Sequence, residues 1–200
     1  MQMLYLTAKG LTPILMNNPA ETMGQEEEAA VKGKRKLDNP EEQAIKRRYL
    51  LPDGNFYVPA VAVRNCILKA ASGWTVKRKS IRPILAGSLQ LLDPAFPLLG
   101  EDGKPIPGNR YTVSKMRVVI KATKAAIIRG RPEIFPWQLE CAFLFDSKRV
   151  DLDILYRTDP DTNEPTGVLV DAGAIVGLLD YRPEKMGWFG RFEVQDIRVE

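Results

Sequence analysis

Residues Gly177–Val194 read GLLDYRPEKMGWFGRFEV, and the rest of the chain is organised around them. The stretch holds Gly177, Gly187 and Gly190, the cations Arg182, Lys185 and Arg191, and the aromatics Tyr181, Trp188 and Phe189. It runs into Arg191–Val199, where Phe192 and Val194 share one side of a predicted closing strand. Glycine permits positive φ and close approach of the backbone to a ligand, and successive amides in such a turn make an anion-binding concavity. Arg and Lys add charge suited to phosphate, and aromatic rings offer stacking faces to unpaired bases. The plainer reading of the same residues is a surface loop of tight turns with one aromatic capping the core.

Upstream, Gly167–Leu179 (GVLVDAGAIVGLL) is apolar at helical spacing, although its glycines oppose a helix. Asp159–Asn163 is a loop, and Asp151–Arg157 reads as a short strand or a turn of helix. In Trp137–Phe145 the residues Trp137, Leu139, Cys141, Phe143 and Phe145 alternate onto one face, as a strand requires. Tyr111–Ile128 is a second long strand, and Gly130-Arg131-Pro132 between the two predicts a hairpin. Residues 83–109 are rich in Pro and Gly, and WTVKRKSIRPIL (Trp74–Leu85) is basic and β-prone, an edge strand or an arm.

At the other end, Met3–Lys9 (MLYLTAK) is a first strand, and Pro13–Pro19 carries the chain out of the sheet. Asn39-Pro40-Glu41-Glu42 marks a helix start, with Asn39 as cap and Pro40 in the first turn. Residues 20–38 read as a mobile loop ordered by a partner. Ala60–Ser72 (AVAVRNCILKAAS) has helical spacing, with Val63 and Ile67 on one face, Arg64 and Lys69 on or near the other, and Gly73 as its C-cap.

The hydrophobic fraction of 44 % predicts a real core, and no apolar run approaches membrane-spanning length. Cys66 and Cys141 are too few for a disulfide framework and read as buried hydrophobes in a reducing cytoplasm. The absence of histidine excludes Ser-His-Asp and Cys-His nucleophile systems and most zinc sites. No cofactor signature is present, and no residue is assigned to a metal. The net charge of +4 is unevenly spread. Gly54–Leu92 has no acidic residue but carries Arg64, Lys69, Lys77, Arg78, Lys79 and Arg82. Gly103–Pro132 has none either, against Lys104, Arg110, Lys115, Arg117, Lys121, Lys124, Arg129 and Arg131. Such segregation predicts one face built for a polyanion; its alternative is a solvated basic surface.

The order strand, helix, long hairpin, helix, strand is the ferredoxin-like βαββαβ arrangement of an α+β protein. Three stretches resemble the RAMP superfamily, the backbone subunits of CRISPR effector complexes and their relatives. They are LTPILMNNP (Leu11–Pro19), YVPAVAVRNCILKAA (Tyr57–Ala71) and the glycine-rich Gly177–Val194. The last is also similar to the ending of small uncharacterised phage proteins. Ala60 and Ala62 stand where the family usually has Gly or Ser before its first helix. The resemblance covers about a quarter of the chain.

It implies one RRM/RAMP-like domain over residues 1–200, with projecting insertions at about 20–50 and 74–109. It also implies a cytoplasmic, non-catalytic protein that oligomerises along single-stranded RNA in antiviral defence. In that reading Lys77, Arg78, Lys79, Arg82, Lys121, Lys124, Arg129 and Arg131 neutralise phosphates. Arg64 and Lys69 reach the same groove. The loop Tyr181–Arg191, through Arg182, Lys185, Gly187, Gly190 and Arg191, holds one phosphate, while Tyr181 or Trp188 stacks a base or belongs to the core. The competing readings are a phage single-stranded DNA-binding or recombination protein, a metal-dependent nuclease using Asp146, Asp151 and Asp153, and a nucleic-acid-free assembly protein.

Overall fold

The computed structural model describes residues 1–19, 39–119 and 126–200. The loop expected at 20–38, with Lys121 and Lys124, lies outside the described residues. The chain begins with β1 (Gln2–Gly10), which buries Leu4, Leu6 and Ala8 on one face, as its alternation requires. A short β2 (Ile14–Leu15) follows. Helix α1 (Pro40–Lys46) starts as expected, Asn39 accepting from the Glu41 amide. β3 (Tyr57–Pro59) leads directly into α2 (Ala60–Ala70), which a 3-10 turn extends to Gly73. α2 buries Val63, Cys66, Ile67 and Ala70.

Next come a hairpin of β4 (Thr75–Val76) and β5 (Lys79–Ser80), helix α3 (Arg82–Ser88), β6 (Leu89–Leu91) and β7 (Ala95–Leu99). β8 (Thr112–Val119) and β9 (Ala126–Ile134) form a long pair, followed by β10 (Gln138–Phe145). The last third holds α4 (Leu152–Leu155), a small β11 (Arg157–Thr158)–β12 (Pro165–Thr166) pair and α5 (Val168–Asp171). α5 continues as a π-turn through Val176, and β13 (Phe192–Val199) ends the described elements.

The molecule is a mixed α and β protein, mostly antiparallel sheet with few helices. Its main sheet has six strands in the order β13–β1–β10–β7–β3, with β6 also paired to β10. Every pairing in it is antiparallel. α2 lies against the α5–π segment, and the Cys66 thiol donates to the Ala172 carbonyl at 3.3 Å. The core combines the inward faces of β1 and β10 with α2, including Phe143 and Phe145, both fully buried. Gly173 lets the π-turn settle on β13: a Cβ there would lie 2.0 Å from the Phe192 carbonyl oxygen.

Two expectations are corrected. Tyr111–Ile128 does not pair with Trp137–Phe145. β8 pairs with β9 instead, and β2 completes a separate three-stranded sheet. Gly130-Arg131-Pro132 lies inside β9, not at a turn. Gly130 is there because α1 crosses it, and a Cβ would stand 1.9 Å from the Pro40 carbonyl oxygen. Buried Gln43 and Arg47 hydrogen-bond Gly130 from that side. Residues 74–109 are likewise not one projecting insertion, since β6 and β7 belong to the main sheet. Their Pro and Gly residues hid short strands: Pro97 sits in β7 with its side chain exposed. Within this segment the β4–β5 hairpin is exposed along its whole length.

Candidate nucleic-acid interface

The three stretches singled out in the sequence meet at one cleft of about 630 Å³. Asn17 comes from just beyond β2, Pro59 to Lys69 from the start of α2 and one side of it, Val176 from the end of the π-turn, and Gly177 to Glu184 from the glycine-rich loop. Tyr49 and Arg82 complete the lining. Tyr49 packs edge-on against Tyr57 at 5.6 Å, and burial raises its hydroxyl pKa above the ordinary phenol value.

Close backbone packing shapes the loop. A Cβ on Gly187 would lie 1.7 Å from the Tyr181 carbonyl oxygen, and one on Gly190 (φ +69°) 2.1 Å from that of Leu178. The amides of Lys185 and Gly187 donate to Arg182, that of Phe189 to Tyr181, and that of Gly190 to Pro13. These amides are therefore satisfied inside the protein, and the expectation that they cradle a phosphate is corrected. Gly187 and Gly190 serve chain crossing. Leu179, Tyr181 and Met186 take left-handed φ of 58°, 48° and 60° although they carry side chains. Strain of that kind concentrates at functional sites.

Arg131 is buried; its guanidinium lies against the Asp180 carboxylate and over the Tyr181 ring. It joins the β8–β9 arm to the loop, whereas the sequence reading had it facing phosphate. Arg64 also differs from that reading, since it donates to the carbonyls of Leu89 and Ala86 and fastens α2 to α3 and β6. Arg129 lies two residues before Arg131, on the same face of β9.

The exposed cations lie elsewhere. Lys77 and Arg78 form the apex of the β4–β5 hairpin, both at positive φ, with Lys79 beside them. The base of the hairpin is fixed by the Trp74 indole N–H, which donates to Asp171 at 2.7 Å. Arg82 follows at once and reaches the cleft. Arg191 is exposed beyond the loop, where its amide donates to the Thr12 hydroxyl at 2.9 Å.

Lys69, Arg182 and Lys185 converge on a carboxylate that the sequence reading passed over, Glu184. Its partial burial opposes ionisation. Hydrogen bonds and charge from Arg182, then Lys69 and Lys185, outweigh that and hold its carboxyl below the ordinary range. The sequence signal was the alternation Arg182-Pro183-Glu184-Lys185, which binds its own charges locally. Trp188 is 56 % exposed and tilts against buried Phe189 at 4.9 Å; beside it Met186 is 98 % exposed. Of the two stacking candidates, Tyr181 is engaged by Arg131 and Trp188 faces solvent.

Cys66 lines the cleft, but burial pushes its thiol up to about 12, so it is no thiolate nucleophile near neutral pH. Asp146 and Asp151 accept from the amides of Lys148 and Asp153 within their own turns. Among the described residues no group of three or more Cys, Asp or Glu side chains converges to hold a metal ion. No helix among them is long and apolar enough to cross a membrane. No protein-family model matches the chain, and no curated protein matches it in sequence.

Proposed function

We propose that this protein binds single-stranded nucleic acid without cleaving it, as a RAMP-like backbone subunit that oligomerises along a single-stranded RNA of the CRISPR guide type. The observation that carries the reading is the meeting of Leu11–Pro19, Tyr57–Ala71 and Gly177–Val194 at one cleft bordered by Lys69, Arg82 and Arg182. Chain order alone does not require those stretches to touch. The main sheet supports the ferredoxin-like βαββαβ interpretation: the last strand lies beside the first, the first beside β10, and α2 and α5 pack together.

In this mechanism the β4–β5 hairpin and Arg82 neutralise successive phosphates and release counterions. Trp188 offers the exposed ring on which a base stacks. Base edges remain free for pairing, so sequence preference is slight. The open face of the main sheet is less suited to RNA. Tyr5 there is covered by Arg198 at 5.1 Å, and Glu140 and Asp196 both lie opposite Thr7.

The test is binding of homopolymeric single-stranded RNA and DNA to the full chain across a salt series. Affinity that falls steeply with salt supports the reading, and no binding at low salt removes it. Preference for DNA transfers the reading to a phage-type single-stranded DNA-binding protein.

A further inference from the structure

We propose that Lys69, Arg182 and Lys185 form an anion site which Glu184 fills from within the chain, and that a phosphate group entering the cleft takes the place of its carboxylate. Arg182 donates through Nε and Nη2 to Glu184 Oε2 at 3.0 and 2.8 Å. Lys69 Nζ stands 3.3 Å and Lys185 Nζ 3.8 Å from Oε1. Three cations thus face one carboxylate, and the excess positive charge borders the cleft.

The site is already arranged for an anion without Glu184. Arg182 Nη1 donates to the Leu179 carbonyl at 2.7 Å, which keeps the guanidinium fork aimed when the carboxylate leaves. Lys69 arrives from α2, a separate and well-packed element. Glu184 belongs to the 3-10 turn Pro183–Lys185, whose backbone is held by the Lys185 and Gly187 amides on Arg182 O and by the Met186 amide on Pro183 O. Withdrawal therefore needs only rotation of one side chain. A phosphodiester carries the same single negative charge as the carboxylate it replaces. The exchange conserves charge in the socket, and the freed carboxylate regains water. A polyphosphate brings more charge and displaces Glu184 more readily.

The inference uses the nucleic-acid reading only for the source of the phosphate. Its test compares the wild type with Glu184→Gln, using a single-stranded uridine oligonucleotide and, separately, tripolyphosphate. Glu184→Gln is expected to bind the oligonucleotide about three- to tenfold more tightly at low salt, with a salt slope steeper by about one to two, because freed cations meet phosphate. Adding Lys69→Gln to that variant should abolish most of the gain. Tripolyphosphate should raise the melting temperature of Glu184→Gln more than that of the wild type.

If the wild type binds RNA and a folded Glu184→Gln binds it equally or less well, the anion site is refuted while the nucleic-acid reading stands. If neither binds RNA but tripolyphosphate prefers Glu184→Gln, the RNA reading is lost and the site remains, with a small polyphosphate as ligand. If neither probe prefers the variant, the inference is overturned. Glu184→Asp, which keeps the charge but shortens the reach to Lys69, should show a smaller gain of the same sign and carries the test should Glu184→Gln not fold.

Discussion

Arg131 lies over the ring of Tyr181, 4.9 Å from its centroid, and beside the carboxylate of Asp180. Together these two interactions join the β8–β9 arm to the glycine-rich loop. Removing one partner of such an ion pair leaves the other charge partly buried and uncompensated, which costs a few kcal/mol. Arg131→Ala is expected to lower stability by about 2–4 kcal/mol in urea unfolding. A phosphate-facing surface arginine would instead leave the unfolding midpoint unchanged.

The β4–β5 hairpin behaves in the opposite way. Lys77, Arg78 and Lys79 are exposed, so replacing all three with Gln should change stability by less than about 0.5 kcal/mol. The same change should weaken oligonucleotide binding and flatten the salt slope by about two, since each phosphate left unneutralised on a single strand lowers the slope by roughly 0.7. An unaltered slope would remove the hairpin from the interface.

Gly190→Ala meets two obstacles, a φ of +69° and the Leu178 carbonyl oxygen 2.1 Å from the new Cβ. Its cost should exceed the roughly 1–2 kcal/mol typical of a left-handed alanine alone. Gly54 has φ +84° but nothing within 4 Å of a built Cβ, so Gly54→Ala isolates the backbone component. Thermal melts of the two variants should separate by well over the difference between two surface mutations.

The buried Cys66 thiol makes stability depend on alkaline pH. Its folded value is pushed up to about 12, against about 8.5 in an unfolded chain. The folded state thus keeps its proton where the unfolded state has lost it, so stability is intact below about 8.5 and declines as pH rises toward 12. Cys66→Ala should flatten part of that decline in a pH series of urea midpoints, and an unchanged slope would show that the thiol does not contribute.

Much of this architecture could be read from the chain because local pattern and tertiary demand agree there. Met3–Lys9 alternates, Ala60–Ser72 has helical spacing, and Asn39-Pro40 caps a helix, and each became the expected element. Where they disagree, the reading failed. Gly130 looked like a turn because glycine's other use, admitting a neighbouring backbone, leaves no mark in a sequence. β6 and β7 are short, and β7 carries Pro97, so they read as loop, yet pairing with β10 and β3 decides them. Lys69 of α2 and the glycine-rich loop were expected on one groove and both line the cleft; that Asn17 joins them was not legible in the chain. The ion pair between Glu184 and Lys69 was not legible either, because a carboxylate between cations looks like an ordinary solvated pair until the distance to Lys69 is known.

The two-residue apex of the β4–β5 hairpin has one more consequence. Lys77 and Arg78 sit at φ of 49° and 65°, a conformation that Asn-Gly adopts with far less resistance. An Asn-Gly graft at that apex should make a sturdier tip with no charge on it. The natural pair accepts that backbone strain and keeps two long, exposed cations at the hairpin tip.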